Sequence, residues 1–257
     1  MHGDLTVPIP VVLGFLLTLV RVSGVFVFVP IPGVSGSLGP ARVILTLGIT
    51  FALFSNWPKV TATPTVEAFV VWVLLEAALG VGIGLAVGFV MEAFAVGSQA
   101  IGLQAGFAFA SMVDPNTQAD STVLVVLAQV AAGLLFFALG LDHEILRILA
   151  RSLETYPAGS FELSRGASEQ MLRLGSTIFS TGVRLAMPMI AILVMLDISL
   201  ALLGRVNAQL QLLHLSFPIK MIVALGLLGP LTMMFPVLFR ISATGTFAAA
   251  RALIAHP

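Results

Sequence analysis

Between residues 69 and 96 only Glu76 and Glu92 carry charge. A run of that kind is long enough to cross a bilayer, whose hydrocarbon core takes about 20 mostly apolar residues at a rise of about 1.5 Å each. Similar runs fall at residues 11–29, 43–54, 123–141, 183–203 and 219–239, the second of them short unless extended through Ala41 and Trp57. The pattern predicts an all-α, polytopic membrane-type protein with about six apolar helical segments. The run beginning at residue 69 is rich in glycine, and its later part, near Met91 to Gly106, is expected to tilt or break.

The balance of residue types agrees with a membrane solvent. The chain is 58% hydrophobic and 9% charged, whereas soluble domains carry about 25% charged residues. Its 12 basic and 12 acidic residues sum to zero net charge. That leaves no basic field for nucleic acid. Cysteine is absent, which removes disulfides and thiolate chemistry together. The opening MHGDLTVPIP lacks a basic region before its apolar run, so the first segment is expected to stay attached.

The most charged stretch is 142–176. Within DHEILRILARSLETYP, Ile145, Leu146, Leu149 and Leu153 recur at helical spacing, while Arg147 and Arg151 stand four apart on another face. This predicts an interfacial or extramembrane amphipathic helix stopped at Tyr156-Pro157, with a second helix starting after Ser164. In a plain six-span arrangement, the lysines and arginines place both termini and this stretch in the cytoplasm.

The apolar segments contain Arg21, Glu76, Glu92, Arg184 and Asp197. Each costs roughly 2.5 to 3.5 kcal/mol at the centre of a lipid-facing helix and should face protein or water. One reading is a proton relay, as in a proton-coupled secondary transporter. The plainer one lets Arg21 and Glu92 snorkel from segment ends while Glu76 and Asp197 pair with Arg184 or with an arginine of another subunit. A transporter of that kind should show inverted repeats and paired broken helices, and no convincing repeat is present.

Gly80, Gly84 and Gly88 recur every fourth residue. A smooth stripe of this kind lets another helix approach closely, either in a neighbouring subunit or within the chain. Catalytic signatures are missing: there is no HExxH, no GxSxG and no GxxxxGK[ST]. An enzyme is not expected, nor is a metal or other cofactor.

One polar interruption remains, GFAFASMVDPNTQADST at 106–122. Phe107, Phe109 and Met112 are large and apolar, Gly102 and Gly106 suggest a hinge, and Asp114-Pro115-Asn116 forces a turn. An apolar tip on a glycine hinge suits a plug, because phenylalanine and the adaptable methionine can seal an irregular opening and then yield. The alternative is a capped helix end that packs down.

An ordered series of segments resembles a known family. It comprises RVSGVFVFVPIPG and GPARV (21–43), GSQAIGLQAGFAFASMVDP (97–115), LDHEILRILARSLETYPAG (141–159), GVRLAMPMIAILVMLDISLALLGR (182–205) and FPIK (217–220). Together they are similar to the flagellar biosynthetic protein FliR family, whose virulence-secretion counterpart is the SctT family. Ala208 stands where the family usually has a proline before Gln209, and Ser216 where a glycine is common.

The resemblance implies a structural subunit of the flagellar type III export gate, assembled into a helical pore in the bacterial inner membrane at the flagellar basal body. It implies FliP and FliQ subunits and an FlhB-type gate protein as partners, besides membrane lipid, with unfolded flagellar proteins as cargo. It also implies a FliP-like part over 1–180 and a FliQ-like C-terminal helical hairpin over 181–257. The stretch 106–122 then corresponds to the family's plug, with Gly106, Phe107, Phe109, Met112, Asp114 and Pro115 as its residues. Gly80, Gly84 and Gly88 would pack against FliP or FliQ helices, and much of the gate would be lifted out of a simple six-span bundle.

Overall fold

Among the described residues the apolar runs condense into seven α-helices. A computed structural model describes residues 8–30, 39–58, 60, 64–107, 123–157, 159–161, 165–206 and 212–255. The helices are α1 (Ile9–Phe26), α2 (Pro40–Ala52), α3 (Val66–Ala105), α4 (Val123–Ala138), α5 (Leu141–Thr155), α6 (Arg165–Val206) and α7 (Leu212–Ala255). No strand occurs among the described residues. Prolines sit in the first turns of α1 and α2, where the missing N–H would have been unsatisfied in any case. Pro188 in α6 and Pro218, Pro230 and Pro236 in α7 lie inside helices, as membrane helices tolerate when neighbours re-satisfy the backbone.

The chain is an all-α polytopic membrane protein, with fewer and longer spans than the sequence suggests. Among the described residues only α1, α3, α6 and α7 are singly long and apolar enough to cross a membrane, and α4 with α5 makes a fifth only as a bent pair. The run at 43–54 becomes α2, whose 13 residues rise only about 20 Å. The break expected near Met91 to Gly106 does not occur, since α3 continues for 40 residues to Ala105. At 1.5 Å per residue, α3, α6 and α7 each rise about 60 Å or more, roughly twice the hydrocarbon thickness. A plain six-span bundle, and the orientation drawn from it, does not describe such helices. Around 142–176 the amphipathic helix and the second helix form as the spacing predicts, the latter beginning at Arg165.

Packing divides the chain into two interleaved compact units, one of residues 1–89, 136–174 and 244–257, the other of 90–135 and 175–243. In the first, α1 is buried along Leu17, Arg21, Val22 and Val25 against the first half of α3. α5 turns Ile145, Ile148, Leu149, Ser152 and Leu153 inward. Phe15, Phe51, Phe54 and Trp57 form an aromatic cluster joining α1 to the end of α2. In the second unit, Phe94 packs against Phe235 and Phe239 at ring separations of 4.9 and 5.2 Å, with Leu185, Met189 and Leu193 buried on α6.

Candidate functional site

Two polar clusters stand out in this apolar protein, one in each unit. The first begins with Glu76, Gly80, Gly84 and Gly88, which share one face of α3 because they are four residues apart. That face receives α1. A Cβ on Gly80 would overlap the Arg21 carbonyl oxygen, one on Gly84 would stand 2.7 Å from Val25 O, and one on Gly88 would stand 3.0 Å from the Phe28 ring. Gly24 answers from α1, where a Cβ would meet Val81 N at 2.8 Å. The stripe expected at a subunit contact is therefore filled by α1 of the same chain, the intramolecular alternative.

This close approach brings Arg21 and Glu76 together in the interior, 0% and 1% exposed. Arg21 Nε donates to Glu76 Oε2 at 2.5 Å and Nη2 donates to Oε1 at 2.9 Å. Nη1 donates to the Ser152 carbonyl at 2.6 Å and to its hydroxyl at 3.2 Å, while Nη2 also reaches the Tyr156 carbonyl at 3.0 Å. A guanidinium has five N–H donors, and these five contacts account for all of them. Ser152 and Tyr156 lie at the C-terminal end of α5, where the helix dipole favours a cation, and the Ser152 carbonyl also accepts the Tyr156 N–H at 3.0 Å. Arg21 thereby ties α1, α3 and α5 into one unit. The Gly159 N–H adds a longer bond of 3.4 Å to Glu76 Oε1.

The second cluster is at the end of α3. Gly106 adopts φ +84°, a conformation open to glycine but strained for residues with a Cβ. Its N–H bonds Leu103 O at 3.2 Å, and the Phe107 N–H reaches back to Gly102 O at 3.0 Å. That pair of bonds is a Schellman cap, which satisfies carbonyls at the helix end. The glycine expected as a hinge is thus a defined helix stop, and Gly102 lies inside the helix. Phe217 of α7 covers the cap, its ring 2.9 Å from where a Gly106 Cβ would stand.

Beside the cap, Gln104 Nε2 donates to Asp197 Oδ2 at 3.0 Å. Lys220 Nζ meets Asp197 Oδ1 at 2.5 Å, with the side chains of lysine and aspartate 14% and 36% exposed. The segment that starts at Gly106 is rooted where α3, α6 and α7 share one carboxylate.

The remaining candidates are placed as follows. Glu92 and Arg184 are exposed on α3 and α6. Neither Glu76 nor Asp197 pairs with Arg184, because Arg21 and Lys220 hold them. Phe109, Met112, Asp114 and Pro115 lie outside the described residues. Sequence reasoning assigned no site role to Gln104, Ser152 or Lys220, and Tyr156 figured only as a helix stop. Lys220 was visible as a lone cation at the edge of an apolar run, but carbonyl acceptors such as Ser152 O leave no sequence signal.

Two of the cavities among the described residues lie in these units. One of about 280 Å³ in the second unit is lined by apolar residues including Ile101, Leu124, Leu231 and Phe235. The other, in the first unit, is lined by Glu144, Arg147, Arg151 and Glu154 of α5 and by Arg251 of α7. There Arg251 Nε meets Glu144 Oε1 at 2.9 Å.

Comparison with known proteins resolves the family. The family described as "Bacterial export proteins, family 1" matches residues 12–244. The flagellar biosynthetic protein FliR of Escherichia coli (strain K12) is 34% identical over 75% of this chain and 74% of its own length. The chain belongs to the FliR family of bacterial export proteins. The FliR of Pectobacterium carotovorum subsp. carotovorum is 32% identical, covering 74% of this chain and 75% of its own. The more distant FliR of Bacillus subtilis (strain 168) is 22% identical and covers 82% of each. FliR proteins are structural components of the flagellar export apparatus rather than an enzyme family. The membrane helices of this FliR-family chain suit a membrane-embedded flagellar component.

Proposed function

We propose that this flagellar export-gate subunit helps form the pore for unfolded flagellar proteins and closes it with the segment at 106–122. The observation that carries the plug reading is the capped root. α3 stops at Gly106 in a Schellman motif, so the apolar residues that follow leave from a fixed point. Phe107, Phe109 and Met112 then act as a steric seal that excludes ions at rest and yields to an arriving chain. A seal of this kind must be only marginally stable, since substrate binding has to shift it.

The gate sits in the inner membrane at the flagellar basal body, with FliP, FliQ and an FlhB-type protein as neighbours. Glu92 and Arg184, exposed on this chain, favour burial by such neighbours, because charges facing lipid are costly. Residues 1–180 form a FliP-like part and 181–257 a FliQ-like hairpin. In support, α6 and α7 are consecutive long helices that meet at Asp197 and Lys220, on either side of their connection. Of the carboxylates a proton-coupled transporter would use, Glu76 is engaged by Arg21 and Asp197 by Lys220, while Glu92 is exposed.

The test is deletion of residues 106–112 in cells, with ion leakage, export of a reporter substrate and assembly of the gate measured together. Leakage through an assembled gate is the expected result. An assembled gate that neither leaks nor changes its export would refute the plug.

A further inference from the structure

The structure also bears on what holds the root of that segment, an inference that rests on the plug reading above. The end of α3 is already capped, the Schellman bonds from Gly106 and Phe107 taking up the Leu103 and Gly102 carbonyls. Gln104 nevertheless presents an amide in an otherwise apolar last turn of Ile101, Gly102, Leu103 and Ala105. Its Nε2 spends one donor on Asp197 Oδ2 at 3.0 Å. The other oxygen of the same carboxylate holds Lys220 at 2.5 Å. An apolar side chain at 104 would serve packing alone, whereas an amide adds a directional contact that can be broken and remade.

We infer that Asp197 is the positioning residue of the plug root, latching the last turn of α3 through Gln104 while Lys220 holds Asp197 in place. The two oxygens divide the work. Oδ1 binds α6 to α7 through a nearly buried lysine, and Oδ2 reaches the root of the plug. Release of the root therefore breaks the Gln104 bond and leaves the ion pair standing. Partial exposure makes this possible: Asp197 is 36% exposed, so water can take over Oδ2 when the amide leaves, and no buried charge is stranded. Phe217, whose ring stands 2.9 Å from where a Gly106 Cβ would be, adds an apolar contact to the same root.

The experiment compares the 106–112 deletion with Gln104→Leu, Asp197→Asn and the exchanged pair Asp197→Lys/Lys220→Asp, all in the full gate in cells. Ion leakage, reporter export and co-purification of the assembled gate are read in parallel. Gln104→Leu removes the root contact and spares the ion pair. It should raise leakage roughly tenfold, the shift in a closed-to-open ratio expected when one charge-assisted hydrogen bond is lost, with assembly unchanged. Asp197→Asn should leak at least as much. The exchanged pair should return leakage toward the parental level, because the Gln104 amide can present its oxygen to the introduced ammonium.

A purely structural ion pair would lower assembly in Asp197→Asn and leave leakage of Gln104→Leu at the parental level. If the deletion leaks and Gln104→Leu does not, the latch is refuted and the plug stands. If the deletion itself does not leak, both fall. Should Asp197→Asn fail to assemble, Gln104→Leu still decides the matter.

Discussion

Arg21–Glu76 and Asp197–Lys220 are both ion pairs between helices of a membrane protein, yet they differ in nearly every physical respect. The first is 0% and 1% exposed, and all five guanidinium donors are used. The second is 36% and 14% exposed and shares its carboxylate with a single amide. A buried, fully satisfied network is costly to disturb, because removal of one member strands the others. A part-exposed pair can trade partners with water. The difference teaches which cluster holds a fold and which can hold something that moves.

The largest expected effect breaks the first cluster. Arg21→Met leaves Glu76 buried without its cation and takes the guanidinium away from the Ser152 and Tyr156 carbonyls. Loss of one partner of a buried pair costs about 3–5 kcal/mol, a large share of the stability of an ordinary domain. The purified variant should unfold at lower temperature in detergent and be cleaved faster by protease. Adding Glu76→Leu should recover much of the loss, because the stranded charge is then gone. Equal stability of the Arg21→Met chain and its parent would show that the network is not the lock described above.

Next in size is the glycine crossing that makes the network possible. A Cβ on Gly80 overlaps backbone of α1 and not the movable end of a side chain, so Gly80→Ala must push α1 and α3 apart. The cost should be about 1–3 kcal/mol, as for other overpacked sites. Gly48 of α2 supplies the control, since a Cβ there meets nothing within 4 Å. Gly48→Ala should be neutral or stabilise by about 0.5–1 kcal/mol through helix propensity. Thermal unfolding of the two variants side by side decides between a packing effect and a general intolerance of alanine.

These same residues show what could be read from the sequence and what could not. Apolar runs marked the helices, and the spacing of Ile145, Leu149 and Leu153 marked the inward face of α5. Tyr156-Pro157 correctly marked its end. Helix length escaped at the far end, because the apolar run ends at residue 96 whereas α3 continues through the polar Ser98, Gln99 and Gln104 to Ala105, where hydropathy alone marks no helix. Glu76 and Arg21 were visible as expensive charges, but they are 55 residues apart. No periodicity connects positions at that distance. The same applies to the stripe of Gly80, Gly84 and Gly88: the spacing announces a close neighbour without saying whether it is α1 or another chain.

The smallest effect sharpens the comparison at the second cluster. Gly106 is held at φ +84° with Phe217 against it, so Gly106→Ala incurs left-handed strain of about 1–2 kcal/mol and crowds the Phe217 ring. Because the strain falls on a helix terminus, the chain can relieve it locally by fraying the last turn of α3. Hydrogen exchange should therefore quicken at the Gly106 and Phe107 amides, whose bonds define the cap, while the amides around Arg21 stay protected. That contrast follows from the energetics of the two clusters. A strained cap next to a part-exposed ion pair opens by itself, whereas the Arg21 network opens only with the unit it holds together. Exchange that rises equally at both places in Gly106→Ala would mean that the two clusters open as one, and the division between a lock and a latch would fail.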